Sequence, residues 1–170
     1  MKTILLMFLS ILLFSTFLFS QDGSDAIRKG PDFTLEDING NLVQLSNEVG
    51  DGPILLSFWA TWCKPCLEEL NDYKVIYNEY KDKGFKMYAI STDDENTVAK
   101  VKPLVKSKGY NFPVLLDTNS DAVRLYYAQS IPYSVILDKK GMIIYSHLGY
   151  MKGDEVKIKQ IIASEVNQKD

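Results

Sequence analysis

The chain has 170 residues, enough for one domain with an ordinary core, and its 46% apolar and 24% charged residues exclude a disordered chain. A formal charge of −3 leaves no basic surface built for nucleic acid. Two cysteines and a single histidine fall short of the four ligands that a structural zinc site takes.

Lys2 precedes an apolar stretch from Ile4 to Phe19, interrupted only by Ser10, Ser15 and Thr16 and followed by the small Ser20. This reads as a secretory signal peptide over residues 1–20. The rival reading is an uncleaved membrane anchor: the stretch is shorter than the ~20 residues that span a bilayer, but Leu18 suits a cleavage site poorly. No cysteine follows it, so a lipid-modified N-terminal cysteine is excluded.

Next, "DFTLEDINGNLVQL" holds two short apolar segments, Phe33–Leu35 and Leu42–Leu45, around a loop with Asn39-Gly40. That predicts a hairpin with a longer turn than the tight two-residue kind. "PILLSFW" (Pro53 to Trp59) is almost continuously apolar, as in a strand covered on both faces. After Pro65, Cys66, Leu70, Tyr73, Tyr77 and Tyr80 recur at three- and four-residue steps, predicting a helix that stops before Gly84. "FKMYAIS" (Phe85 to Ser91) predicts a strand. Val98, Val101, Leu104 and Val105 predict a helix ending near Gly109, with Pro103 either kinking it or marking its start. "FPVLLD" reads as a short extended segment and Asp121 to Tyr127 as a short helix. "YSVILD" and "MIIYSHL" read as strands around a turn at Lys139–Gly141, and Glu155 to Val166 as a last helix. The order implies a central mixed β-sheet flanked by helices, an α/β fold with an N-terminal β-hairpin extension.

Both cysteines fall in "FWATWCKPC" (Phe58 to Cys66). Cys63 stands between a buried strand and a helix, and Pro65 lies early in that helix, where a missing N–H costs nothing. Free N–H groups and the helix dipole favour a thiolate at Cys63. Cys66 lies one turn deeper on the face of Leu70 and Tyr73. An accessible thiolate beside a shielded thiol makes a redox pair: Cys63 attacks a disulfide and Cys66 resolves the mixed disulfide. A structural bridge closing so short a loop would remove little chain entropy. His147, in a strand pattern, reads as an ordinary strand residue rather than a ligand.

"FWATWCKPC", with "IPYSVILDKKG" seventy residues later, resembles the thioredoxin superfamily. The leading "PDFTLEDINGNLVQLS" is similar to its extracytoplasmic branch of TlpA- and ResA-like proteins and is shared with peroxiredoxins. The resemblance runs from about Ile27 to Val166 and implies a thioredoxin-like domain over residues 24–168. It implies Cys63 as the attacking and Cys66 as the resolving thiol, and Pro132 as a cis-proline facing the disulfide. It also implies that Ile131 pairs its backbone with a substrate strand and that Trp62 flanks the thiols on the docking surface.

Two departures stand out. Cytoplasmic thioredoxins place a buried Asp six residues before the first cysteine, and here Ser57 stands there. ResA-like proteins use a carboxylate on the helix after the second cysteine instead, and Glu69 matches it, either as proton acceptor for Cys66 or as a solvated surface residue. Tyr133 replaces a small hydroxyl residue after the cis-proline and is expected to reshape the docking groove. Neutral Pro65 and a solvated Lys64 tune the thiolate only modestly, which together with Ile131 points to a reductant rather than an oxidant.

The resemblance therefore implies a thiol–disulfide oxidoreductase in the periplasm or on the extracytoplasmic side of the envelope, without cofactor, acting as a monomer. Its partners would be disulfide-bearing proteins, with apocytochrome c a candidate, and a membrane thiol carrier as electron donor. The membrane would be touched only through the N-terminal segment. Two alternatives stay open. A peroxiredoxin-type peroxidase would place a Thr three residues before its cysteine, whereas Thr61 is two before Cys63. A Sco-like copper chaperone would use His147 but spaces its cysteines one residue wider.

Overall fold

The computed structural model describes residues 28–168. The signal or anchor segment, and residues 24–27 of the expected domain, lie outside the described residues.

The hairpin forms from β1 (Thr34–Asp37) and β2 (Leu42–Gln44). Its wide turn is held by Asp37, whose carboxylate accepts from the Asn39 and Asn41 backbone N–H groups at 2.7 and 2.9 Å, while Gly40 supplies a φ of 86°. β3 (Ile54–Trp59) is buried at every position, as its continuous apolar run requires. It feeds α1 (Lys64–Tyr80), which a 3-10 turn over Lys81–Lys83 closes at Gly84. Gly84 has a φ of 89°, and a Cβ there would stand 2.8 Å from the Asp51 carbonyl oxygen, so only glycine fits this helix stop.

β4 (Lys86–Ser91) follows, then α2 (Val101–Lys108), entered through a 3-10 turn at Val98–Lys100. Of the two possibilities for Pro103, the helix start holds: it sits in the first turn of α2, where backbone N–H groups lack intrahelical partners. β5 (Val114–Leu116), α3 (Asp121–Tyr126), β6 (Tyr133–Leu137), β7 (Ile143–Leu148) and α4 (Asp154–Asn167) complete the chain.

The seven strands form one mixed sheet in the order β2-β1-β5-β4-β3-β6-β7. β3, β4 and β5 run parallel, while β6 and β7 extend one side and the hairpin the other, all antiparallel. Alternation along the strands separates two cores. Leu55, Trp59, Met87, Ala89 and Ile136 pack against α1, α2 and α4. Ile54, Leu56, Phe58, Ile90, Val135 and Leu137 pack against α3 and against Phe33, Leu35 and Leu45 of the N-terminal segment. Burying Leu70 of α1 completely contributes roughly 1.5–3 kcal/mol. This is the mixed sheet flanked by helices that the element order implied, and the thioredoxin-like fold that the resemblance implied, with the hairpin joined to β5 as an extension of the sheet.

Candidate active site

The site lies where β3 ends and α1 begins. After Trp59 the chain turns, with the Cys63 N–H donating to the Ala60 carbonyl at 3.1 Å. Cys63 is the N-cap of α1: its backbone is extended, and its sulfur accepts the Cys66 N–H at 3.3 Å. Pro65 occupies the first turn, so the helix loses no hydrogen bond to it. Cys63 and Cys66 are joined as a disulfide with their Cα atoms 5.3 Å apart. Cys66 is fully buried and Cys63 keeps 6% of its surface. In the disulfide, the first sulfur is thus far less open than an accessible thiolate would be. Lys64 and Pro65 are both exposed, and Trp62 stands out at 67% exposure.

Glu69, one turn beyond Cys66, is completely buried rather than a solvated surface residue. Three hydroxyls donate to its carboxylate: Ser57 to Oε2 at 2.9 Å, and Ser134 and Tyr73 to Oε1 at 3.0 and 3.1 Å. Tyr73 also lies 3.1 Å from the Ser134 oxygen, closing the group. Burial pushes the Glu69 carboxyl up to about 7, against the hydroxyl donors that pull it down. Burial also raises Tyr73, keeping it a donor. Ser57, where cytoplasmic thioredoxins have their Asp, is here a hydrogen-bond donor to the carboxylate that α1 supplies.

The other wall comes from β6. Phe58 pairs with Tyr133, so the residues before β6 fall beside the β3–α1 turn. The Ile131–Pro132 peptide bond is cis. Pro132 is buried, its carbonyl accepting the Gly149 N–H at 2.8 Å, and Ile131 is half-buried. Tyr133 has its ring 6.1 Å from that of Phe58, packed with the core on the face away from α1. Its side chain follows the strand alternation to the side of Phe58 rather than toward α1. His147 pairs with Ser134 across β6 and β7, and its Nε2 lies 3.2 Å from Asp154 Oδ2. Among the described residues, no group of three or more His, Cys, Asp and Glu is placed to hold a metal ion.

Cys63 thus caps α1, Cys66 and Glu69 lie on its first two turns, Ile131 and Pro132 lead into β6 at the same end of the sheet, and Trp62 is exposed in the turn before Cys63. Sequence reasoning missed the partners of Glu69 at Ser57, Tyr73 and Ser134, and missed Asp93 altogether. The available signals were serines inside apolar strands and an acidic residue just past a buried strand.

A cysteine pair capping a helix beside a cis-proline, on this sheet, defines a thioredoxin-fold thiol–disulfide oxidoreductase. The chain belongs to the AhpC/TSA family, whose model matches residues 27–146. It is 35% identical over 130 residues to the thiol-disulfide oxidoreductase ResA of Bacillus subtilis, covering 76% of this chain and 69% of that protein. It is 33% identical over 150 residues to the thioredoxin-like protein YneN of the same organism, covering 86% and 85%. Among solved structures, one described as the thiol:disulfide interchange protein DsbE of Chlorobium tepidum superposes with a TM-score of 0.76 at 28% identity, covering 83% of this chain and 97% of that one. A thioredoxin-like protein of Porphyromonas gingivalis gives 0.68 at 35% identity, covering 81% and 92%.

Proposed function

We propose that this protein reduces disulfides of other proteins in the cell envelope by cycling Cys63 and Cys66 between dithiol and disulfide. The Cys63 thiolate attacks one sulfur of a partner disulfide, forming a mixed disulfide and releasing the partner's other sulfur as a thiolate that water protonates. Glu69 takes the proton from Cys66, and the Cys66 thiolate attacks Cys63, which frees the partner's second sulfur. Two electrons have passed to the partner, and a membrane thiol carrier returns them. Trp62, Ile131 and Pro132 form the docking rim, and Lys64 and Pro65 leave the thiolate only modestly stabilised. Export by residues 1–20, cleaved or retained as an anchor, places the domain over residues 24–168 outside the cytoplasm. Apocytochrome c, which carries paired cysteines, is the substrate this reading names first.

The observation that supports the reading best is Glu69. A carboxyl pushed up to about 7 by burial, one helical turn from the buried Cys66, is matched to accepting a proton at neutral pH once the pair is reduced. Nothing in the cap of α1 adds a fixed cation at Pro65, as a strong oxidant's site would. Equilibrating the purified protein with glutathione tests the direction of electron flow. The expected potential is below about −200 mV, on a scale from about −270 for thioredoxin to about −120 for DsbA. A value near the oxidising end would overturn the reductive reading.

A further inference from the structure

Asp93 is a second carboxylate buried at this end of the sheet, and the thiol chemistry above does not use it. It stands just beyond β4 and is 1% exposed. Three donors converge on it: the Thr61 N–H on Oδ2 at 2.8 Å, the Thr61 hydroxyl on Oδ1 at 2.6 Å, and the Ser91 hydroxyl on Oδ2 at 2.8 Å. Its own N–H lies 3.2 Å from the Ser91 oxygen, which fixes the carboxylate in turn. Two of the three donors belong to one residue, placed two positions before Cys63. Next to it, the Thr92 N–H donates to the Trp59 carbonyl at 2.8 Å, tying β4 to the start of the same turn.

That turn decides whether the cap works. Cys63 must arrive extended for its sulfur to meet the free N–H groups of α1, and the residues before it set that direction. Hydrogen bonds to a carboxylate are roughly twice as strong as neutral ones, and burial spares them from screening. A grip on both the backbone and the side chain of Thr61 therefore constrains the turn more tightly than either bond alone.

We propose that Asp93 is a positioning residue of the dithiol. By holding Thr61 it directs the chain into Cys63, keeps the Cys63 sulfur on the N-terminus of α1, and leaves Trp62 facing outward. The inference rests on the reading of Cys63 as the attacking thiol. It also gives position 61 a chemical requirement, a hydroxyl, that packing alone does not impose.

The test is the rate at which iodoacetamide alkylates Cys63 in the reduced protein at pH 7, with the labelled cysteine located by mass spectrometry and the urea midpoint measured in parallel. Thr61→Val alters no charge and little shape, and should slow alkylation about tenfold by removing one donor from the buried carboxylate. Thr61→Ser, which keeps the hydroxyl, should restore the wild-type rate. Asp93→Asn keeps an acceptor for the Thr61 N–H but not the charge, and should fall between. Wild-type rates in both Thr61→Val and Asp93→Asn, whatever their urea midpoints, would overturn the inference and leave Asp93 a stabilising residue only. Labelling of Cys66 before Cys63 in the wild type would instead overturn the assignment of thiol roles, and this inference with it.

Discussion

The two faces of the sheet are built from alternate residues of the same strands, yet they do different work. On the face away from α1, Ile54, Leu56 and Phe58 of β3 meet Phe33, Leu35 and Tyr126, and the side chains that β3 and β6 send there are apolar or aromatic. On the α1 face the same two strands bring Ser57 and Ser134 into the interior, where they bind Glu69. Burying a carboxylate is costly unless donors surround it, and this face supplies three. One face maximises packing, and the other gives up apolar contact near the thiols to hold a titratable group.

Substitutions on each face sharpen the contrast. The largest effect should come from the thiols. Cys66→Ser should accumulate partners covalently on Cys63 in intact cells, whereas Cys63→Ser should abolish both turnover and trapping. Non-reducing gels followed by mass spectrometry would show this, and equal trapping by the two variants would break the division of roles. On the far face, Phe58→Ala should cost about 3–5 kcal/mol of stability in urea unfolding while leaving the disulfide-exchange rate of the folded fraction unchanged. A large drop in that rate would mean that the two faces are coupled.

The smallest effect is also the most diagnostic. Glu69 has its folded pKa raised from 4.5 to about 7, so the native state holds its proton more tightly than the unfolded chain does. Its contribution is fully present below about pH 4.5 and is lost as pH rises through about 7, a change on the order of 3 kcal/mol. In the oxidised protein, Glu69→Gln should remove that decline, making the variant more stable than the wild type at pH 8 and about equal at pH 5. Urea midpoints at the two pH values would show it, and parallel stability curves would place Glu69 outside the low-dielectric interior.

Much of this was legible because it is local. The run from Phe58 to Cys66 places a buried strand, a turn and a capped helix within nine residues, and Pro65 and Gly84 mark the start and stop of α1 by backbone chemistry alone. What escaped notice depends on strand order and register. Ser134 lies 65 residues from Glu69 and meets it because β6 pairs with β3. Asp93 reaches Thr61 because β4 lies on the other side of β3. The hairpin was visible as a hairpin, but its docking on β5 was not, since a short amphipathic ribbon carries no mark of which edge it will extend. The side on which the Tyr133 ring falls also depends on register: its position after Pro132 points to the groove, while strand alternation sends the ring toward Phe58.

The route by which the chain joins the sheet has a consequence for reach. The Arg28 carbonyl accepts from Ile143, Gly30 donates to the Gly141 carbonyl, and Lys29 bridges Met142, all at the β6–β7 turn. That turn is the pole opposite Pro132 and the cap of α1. At the same pole, Gln168 after α4 shares a cleft with Gly50, Lys139 and Lys140. Both ends of the described chain therefore leave from the pole away from the sulfurs. A tether bound at Arg28 or at Gln168 itself would grip the molecule at its base, on the side away from the sulfurs.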